Sequence, residues 1–347
     1  MTAGDARWVL PYGTAAAAGW QVVAEPGGVG GGWRHTSLRV GTLTDAPGAA
    51  EPPRRLELPP DDWEYVVVPL SGAVRVEAAT PDGAGHAALL AGRADVFAGP
   101  TDVAYVPAGS RLALSAAGGT ARVAVAGALV HRGGDPNAAA PDLDGRAHQG
   151  SPGPAAPPRA FRHVAAADVP VERRGAGAAS REVRNFATPA VLDADALIAC
   201  EVITPAGNWS SWPPHKHDVE RPGSESELEE IYYFETAPAV AGAADPAGYH
   251  RVYASSPDRP IDVLAEVRTG DVVLVPYGWH GPSAAPPDAH LYYLNVMAGP
   301  GPERAWLICD DPAHAAVRAT WPGLPFDPRL PLHGGAGRPD TPPGGTA

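Results

Sequence analysis

Glycine and proline interrupt this chain throughout, with 41 of each among its 347 residues. Both break helices, because glycine costs backbone entropy and proline lacks the N–H that a helix needs. Residues 8–130 accordingly show short runs of β-forming residues, clearest at 33–44, 64–77 and 102–114, with a turn expected at Ser71-Gly72. We predict an all-β fold whose strands close into sandwiches or barrels and so protect their edges.

Composition divides the chain into two β domains. Residues 133–158 are rich in Gly, Pro, Ala and Asp and cannot bury enough apolar surface to order themselves. We therefore predict a linker there and a disordered tail at 334–347. The predicted domains are residues 1–132 and residues 159–333.

A weak internal echo relates the two halves. Glu64, its apolar strand and the later residues 106–109 (VPAG) resemble Glu230, its strand and residues 275–278 (VPYG). The first copy has no His-x-His motif before Glu64 and no histidine after its VPAG turn. We expect the first domain to lack metal ligands.

Residues 207–234 (GNWSSWPPHKHDVERPGSESELEEIYYF) gather candidate metal ligands. Paired prolines and a Pro-Gly step argue against a helix, so His215 and His217 are expected on an extended strand. Residues two apart on a strand project from the same face, so both imidazoles face one way and Lys216 faces the other.

The residues after His217 supply a carboxylate. Residues 219–227 are polar and contain Pro-Gly, which predicts a loop, and residues 228–234 predict a returning strand. Alternation lets only one of Glu229 and Glu230 face the histidines.

A third histidine follows about fifty residues on. In residues 267–280 (VRTGDVVLVPYGWH), a buried strand at 272–275 lies between two turns, the second of which presents His280. Imidazole nitrogen with carboxylate oxygen suits zinc, iron, manganese or nickel. We interpret His250, His290 and His314 as structural or surface residues.

Charge and composition exclude several classes of function. Asp plus Glu number 39 against 26 Lys plus Arg, a net charge of −13, so the chain has no basic surface for nucleic acid. No stretch approaches the length of about 20 apolar residues that a membrane helix needs, and the N-terminus lacks a secretory pattern. The two cysteines, Cys200 and Cys309, argue against a disulfide framework. We expect a cytoplasmic protein with neither a nucleic-acid nor a membrane partner.

These motifs resemble the cupin superfamily, although the loop after His217 is longer than usual and His280 follows Gly278 after one residue where two are common. Four stretches more closely resemble the 5-deoxy-glucuronate isomerase family of myo-inositol breakdown, a relative of the 4-deoxy-5-hexulose-uronate isomerases of pectin breakdown. They are TPAGNWSSWPPHKHD (204–218), LEEIYYF (228–234), VPYGWHGP (275–282) and YYLNVMAGP (292–300). The resemblance covers residues 196–306 and reaches the first half by pattern only.

The resemblance implies a bicupin, with two double-stranded β-helix (jelly-roll) domains and few short helices. It implies one divalent metal ion, with zinc, manganese and iron all open, held by His215, His217, Glu230 and His280. Glu230 is preferred because the cupin pattern places the ligand directly before an Ile/Val-aromatic run, and Glu229 is the alternative.

The implied reaction converts 5-deoxy-D-glucuronate to 5-dehydro-2-deoxy-D-gluconate, an aldose–ketose isomerisation through an enediolate. Tyr232 is a candidate proton carrier, and Phe234 shares its face of the strand and would line the pocket. Arg181 and Arg184 could meet an anionic substrate, and Arg184 and Arg251 are the candidates to bind the carboxylate of a small anionic sugar acid. A homo-oligomer is compatible with such domains, which often pair through their sheets.

Two other classes of function stay open. A site of three histidines and one glutamate also suits a non-haem iron dioxygenase. A sugar-binding or regulatory cupin without catalysis is the other alternative, although a regulator would need a helix-turn-helix and basic charge, and we find neither.

Overall fold

The structure is a computed structural model that describes residues 5–28, 32–45, 54–130, 159–237 and 245–332. The predicted linker and the predicted tail lie outside the described residues. Within these ranges, helical structure is limited to four short 3-10 helices: Asp5–Trp8, Ala166–Asp168, Gly177–Ala179 and Ala315–Thr320. None of the described helices is long and apolar enough to cross a membrane.

Strands make up most of the described chain. Those of the first half, with the first strand after the linker, are β1 (Val9–Leu10), β2 (Val22–Ala24), β3 (Thr36–Asp45), β4 (Leu56–Leu58), β5 (Trp63–Ala79), β6 (Gly85–Arg93), β7 (Val103–Val106), β8 (Arg111–Ala116), β9 (Gly119–Leu129) and β10 (Arg162–Val164).

The second half continues the same architecture. Its strands are β11 (Val171–Arg174), β12 (Arg181–Ala187), β13 (Ile198–Thr204), β14 (Trp209–Ser210), β15 (His215–Lys216), β16 (Asp218–Arg221), β17 (Glu225–Glu227), β18 (Glu229–Thr236), β19 (Gly248–Tyr253), β20 (Asp262–Val267), β21 (Val272–Val275), β22 (Ser283–Ala284), β23 (Leu291–Ala298) and β24 (Cys309–Asp310).

The sheets follow the two halves. One sheet has the order β10-β7-β5-β9-β3-β2, with β6 and β8 added along β5 and β4 added to β8. The other half forms a sheet of order β1-β21-β18-β23-β13-β12-β11, which is covered by a second sheet of order β14-β22-β19-β20. The predicted all-β bicupin architecture is confirmed.

Strand β5 passes straight through the position where a turn was predicted. Its pairing with β9 ends at Ser71, and its pairing with β6 begins at Gly72, with a register shift on either side. Gly72 has φ +73°, and a Cβ there would lie 2.6 Å from the carbonyl oxygen of Thr120. The turn predicted at Ser71-Gly72 is therefore wrong, because this glycine permits a bulge that passes the strand to a new partner.

Each half of the chain lends a short strand to the sheet of the other half. Strand β1 pairs with β21, placing Val9 opposite Val273. Strand β10 pairs with β7, placing His163 opposite Ala104. Residues before position 132 and after position 159 thus cross into each other's sheets, while the predicted domain boundaries themselves stay a prediction.

The strand register shows how the two copies correspond. Val275 pairs with Glu230 in the second half, and the equivalent Val106 pairs with Tyr65 in the first. Tyr65 therefore occupies the position of Glu230. The predicted echo, which matched Glu64 with Glu230, is one residue out, and on a strand that difference moves a side chain to the other face.

Glu64 instead corresponds to Glu229, and both carboxylates are bound in the same way. Glu64 accepts hydrogen bonds from the backbone N–H groups of residues 195–197, at 2.6 to 2.8 Å. Glu229 accepts bonds from the N–H groups of residues 34–36, the closest approaches of each group being 2.5 to 3.1 Å. Each half thus holds the other through a buried carboxylate set in three consecutive backbone donors, which fixes the two halves in one orientation.

The interiors of the two halves differ in character. Tyr65 joins an apolar cluster in the first half, and that cluster includes Leu43, Leu56, Val67, Val76, Leu90, Leu112 and Val125. Close-packed side chains therefore fill the position that corresponds to Glu230. The equivalent region of the second half holds histidines.

Candidate metal centre

Three histidines of the second half meet where two chain segments bond through their backbones. The N–H of His215 donates to the carbonyl oxygen of His280 at 3.0 Å, and the N–H of His280 donates back at 2.8 Å. His217 lies two residues after His215 on extended chain and so shares its face. One ligand atom from each of the three lies within 4.8 Å of the others, and all three residues are buried.

The segment that carries His215 approaches the next turn closely. A Cβ at Gly281 would lie 2.5 Å from Cε1 of His215, and Gly281 has φ +104°. Only glycine satisfies both conditions, so Gly281 allows the His280 turn to reach the His215 ring.

Lys216 points away from the histidines, as the alternation predicts. Its ammonium group donates to the carboxylates of Asp218 and Glu225. The loop predicted at 219–227 is instead largely the β16–β17 hairpin, with a turn at its tip. Its outer residues are exposed, so their polarity is compatible with strand structure and was a poor guide to a loop.

Glu230 completes the cluster. Its Oε2 lies 3.1 Å from Nε2 of His217 and 3.1 Å from Nε2 of His280, and the two Nε2 atoms are 3.0 Å apart. Glu229 faces the opposite side of β18, where it accepts the N–H groups of residues 34–36. The structure thus brings Glu230, and not Glu229, to the histidines, while its role as a metal ligand stays a prediction.

The second ring nitrogens determine where the imidazole protons lie. Nδ1 of His280 lies 2.7 Å from the carbonyl oxygen of Gly278, and Nδ1 of His217 lies 3.1 Å from that of Leu228. A carbonyl oxygen only accepts, so each Nδ1 carries a proton, and a ring that is neutral then presents a bare Nε2.

With both rings neutral, two bare nitrogen lone pairs and a carboxylate oxygen therefore converge on one point. Such acceptors repel one another unless a cation lies between them or the rings take up further protons. Ligand atoms about 2.1 Å from one metal ion and at right angles lie about 3.0 Å apart, close to the 3.0 to 3.1 Å observed. The donor set fits a divalent metal ion.

Burial sets the protonation states around this point. Burial, and then the neighbouring His280 and His217, lower the pKa of His215 well below its usual value, so its ring is neutral and able to bind a metal. Burial and the nearby Glu230 raise the pKa of Tyr232 well above 10, so its hydroxyl stays protonated.

A cavity opens beside the cluster. His215, Glu230 and Tyr232 line it together with Asn295, and the other lining side chains include Arg174, Arg181, Arg318, Trp212 and Trp306. Two of the predicted metal ligands, His215 and Glu230, and the predicted proton carrier Tyr232 therefore face a space that a small molecule could enter.

Two of the other predicted residues do not reach this cavity. Phe234 is fully buried behind Tyr232, with ring centroids 6.0 Å apart, and is not among the lining residues. Arg184 is fully buried and paired with Glu182 and Glu201. Neither residue is positioned to touch a bound substrate.

Arg251 also lies away from the cavity. Its guanidinium pairs with Asp262, whose side chain is 58% exposed, at the protein surface. The structure therefore supports neither Arg251 nor Arg184 as the group that binds a substrate carboxylate.

Of the two arginines on strand β12 that the sequence offered to an anionic substrate, Arg181 lines the cavity and Arg184 does not, because residues three apart on a strand face opposite sides. His250, interpreted as a structural or surface residue, is buried, with Nδ1 2.8 Å from Ser283 Oγ and its ring 4.4 Å from that of Tyr232. Asn295 and Trp306 carried no comparable pattern.

Asp218 joins the chain after His217 to the turn before His280. Its Oδ2 accepts the N–H of Gly278 and the hydroxyl of Ser255, each at 2.9 Å, and its Oδ1 accepts Lys216. The carboxylate thus fixes the spacing of two chain segments that carry proposed ligands.

Replacing Asp218 by asparagine should weaken metal binding about 10- to 100-fold, the usual cost of losing a group that orients ligands. The amide NH2 would face either the Lys216 ammonium or the Gly278 N–H, and neither accepts a hydrogen bond. Competition with a chromophoric chelator measures the affinity. Asp262→Asn, at the exposed pair with Arg251, is the matched control, and equal affinities for the two variants would contradict this role.

A family model described as the KduI/IolB family matches residues 15–153 and residues 151–317 of this chain. The chain is 48% identical over 153 residues to the 5-deoxy-glucuronate isomerase of Geobacillus kaustophilus, a match that covers 44% of this chain and 51% of that protein. It is 42% identical over 151 residues to the Bacillus subtilis (strain 168) protein of the same name, covering 44% and 52%. The chain thus matches about half the length of these curated relatives.

A solved structure extends the likeness to nearly the whole chain. The crystal structure of an IolB-like protein from Salmonella typhimurium LT2 superposes with a TM-score of 0.69 at 28% identity, covering 90% of this chain and 99% of that one. The two family matches together also span both halves. The chain therefore belongs to the KduI/IolB family.

Proposed function

We propose that this protein is a metal-dependent aldose–ketose isomerase that converts 5-deoxy-D-glucuronate to 5-dehydro-2-deoxy-D-gluconate in myo-inositol catabolism. The observation that carries the proposal is the convergence of the Nε2 atoms of His217 and His280 and the Glu230 carboxylate at 3.0 to 3.1 Å from one another, beside a cavity that Glu230 lines. The name shared by the curated relatives supports the choice of substrate.

His215, His217, Glu230 and His280 would hold the ion. Zinc, manganese and iron all accept this mixture of nitrogen and oxygen ligands. Bound there, a divalent ion would act as a Lewis acid toward the substrate oxygens and would offset negative charge that develops on them.

The reaction moves two protons. One leaves the hydroxyl-bearing carbon next to the aldehyde for a base and is returned to the aldehyde carbon, and the other moves from the hydroxyl oxygen to the aldehyde oxygen. Tyr232 lines the cavity beside Glu230, and its raised pKa keeps the phenol protonated. We assign Tyr232 the role of a hydrogen-bond donor and proton donor, because a phenol of raised pKa is a poor base at neutral pH.

Removing the metal should abolish turnover, and restoring it should bring turnover back. The measurement is NMR of 5-deoxy-D-glucuronate in D2O with purified protein, before and after chelation and after adding manganese, zinc or iron. We expect solvent deuterium at the receiving carbon, which distinguishes an enediolate from a hydride shift.

Two results would contradict the proposal. Full turnover in metal-free protein would exclude a metal-dependent reaction. Absence of turnover with every metal would exclude this substrate, and oxygen uptake with phenolic or diketone substrates would then test the dioxygenase alternative.

The proposal also covers the binding partner and the cellular compartment of the protein. The binding partner is a small anionic sugar acid, which is the substrate, and the compartment is the cytoplasm. Cys200 and Cys309 are both free thiols, which is compatible with a reducing compartment. Homo-oligomerisation stays a prediction.

A further inference from the structure

Arginines make up most of the charged lining of the cavity beside the proposed metal ligands. Three arginines line it: Arg174, Arg181 and Arg318. The carboxylate among the lining residues belongs to Glu230, which lies 3.1 Å from two histidine nitrogens and is a proposed metal ligand. A bound divalent ion would add to the positive charge, so the cavity attracts an anion.

Two of these arginines lie directly opposite each other. Arg174 on β11 is the register partner of Arg181 on β12. Like charges directly opposite across antiparallel strands destabilise the pair. Arg174 is compensated by Glu172 at 2.8 Å, and Arg318 is compensated by Asp310 at 2.7 Å. Arg181 forms no ion pair within the described part of the chain, and its one hydrogen bond there reaches the carbonyl oxygen of Ala179 at 3.5 Å.

Strand β12 also carries an arginine with a purely structural role, Arg184, whose charge is compensated by carboxylates. Arg184 is fully buried, lies on the other face of β12, and is paired with Glu182 at 2.7 Å and Glu201 at 3.0 Å. Compensation by carboxylates is thus present three residues from Arg181. A guanidinium left uncompensated in a cavity costs stability, and an anionic ligand would recover it.

We infer that Arg181 binds the carboxylate of the substrate, in a subsite that Arg174 and Arg318 complete. The inference rests on the proposed function and deepens it, because it states how the site selects its substrate class. The preferred substrates are aldoses with a carboxylate at the end remote from the aldehyde, so that the carboxylate meets Arg181 while the aldehyde faces the metal ligands.

The protonation state of Arg181 agrees with this role. Burial, and then the charges of Arg174 and Arg318, lower the pKa of Arg181 to about 10. The group therefore stays charged at neutral pH and offers a planar donor pair for a carboxylate.

Calorimetry on metal-loaded protein with D-glucuronate and D-glucose tests the inference. The two sugars differ only in that a carboxylate replaces CH2OH. We expect wild type to prefer D-glucuronate and Arg181→Gln to lose about 10- to 100-fold in affinity for it, with D-glucose unchanged. Arg181→Lys, which keeps the charge but not the paired donors, should lose less. The matched control, Arg251→Gln at the surface, should behave as wild type.

Thermal unfolding in the absence of sugar separates a binding role from a structural one. Because Arg181 opposes Arg174, Arg181→Gln should melt at the same temperature as wild type or higher, whereas loss of a structural arginine would lower it. Added D-glucuronate should stabilise wild type more than the variant.

The outcomes for the subsite and for the isomerase are distinguishable. Uronate binding that depends on Arg181 without turnover of 5-deoxy-D-glucuronate would support the subsite and contradict the isomerase. Turnover with KM unchanged in Arg181→Gln would support the isomerase and overturn the subsite. A wild type without preference for D-glucuronate over D-glucose would also overturn it.

Discussion

Replacing His280 by alanine should remove the metal and the isomerase activity together and leave the fold intact. The ring supplies one of the two Nε2 atoms that meet Glu230, so its loss leaves an incomplete ligand set. We expect kcat/KM to fall by about 10³ or more, because a catalytic metal contributes several kcal/mol of transition-state stabilisation.

The fold should survive because the position is held by its backbone. The two hydrogen bonds between His215 and His280 use main-chain atoms, which alanine retains. Metal content by elemental analysis, turnover by NMR and unfolding by circular dichroism measure the three properties. His86→Ala, on strand β6 of the first half, is the control and should retain both metal and turnover. A folded, metal-loaded and active His280→Ala protein would exclude the site.

Much of the fold could be predicted because local chemistry determines it. The apolar run at 272–275 is strand β21 to the residue, since flanking turns and β-branched side chains leave no alternative. The parity of His215 and His217 likewise follows from strand geometry alone. Predictions of this kind need only the period of an extended chain.

Features that depend on distant partners could not be predicted. Strands β1 and β10 have two and three residues, too few for a periodic pattern, and their partners lie in the opposite half. Arg184 and Arg181 look alike in sequence. What separates them is Glu201, which is 17 residues away from Arg184 along the chain and pairs with it only after folding.

The alignment of the two halves shows that sequence similarity can also be wrong by a single residue. Sequence similarity placed Glu64 on Glu230, because both precede apolar strands. The register instead aligns Glu64 with Glu229, and both bind backbone donors of the other half. A carboxylate conserved in position between two copies of a domain can therefore serve assembly, while its neighbour carries chemistry.

Adjacent glutamates on β18 should accordingly give opposite phenotypes when each is replaced by alanine. Glu230→Ala should lose the metal and turnover with little change in stability, because the carboxylate that it removes contacts side chains of the site and no backbone donors of the other half. Glu229→Ala should keep its metal and lose about 3 kcal/mol of unfolding free energy, because three N–H groups of residues 34–36, one buried and two partly buried, lose their acceptor.

The pair is its own control, since both variants remove the same group from consecutive residues of one strand. Chemical denaturation gives the free energy of unfolding, and elemental analysis gives the metal content. Metal loss in a stably folded Glu229→Ala protein, with metal retained in Glu230→Ala, would reverse the assignment and make Glu229 the ligand. Strand alternation puts the two side chains on opposite faces of β18. If each variant lost both its metal and its stability, that result would contradict the register of β18.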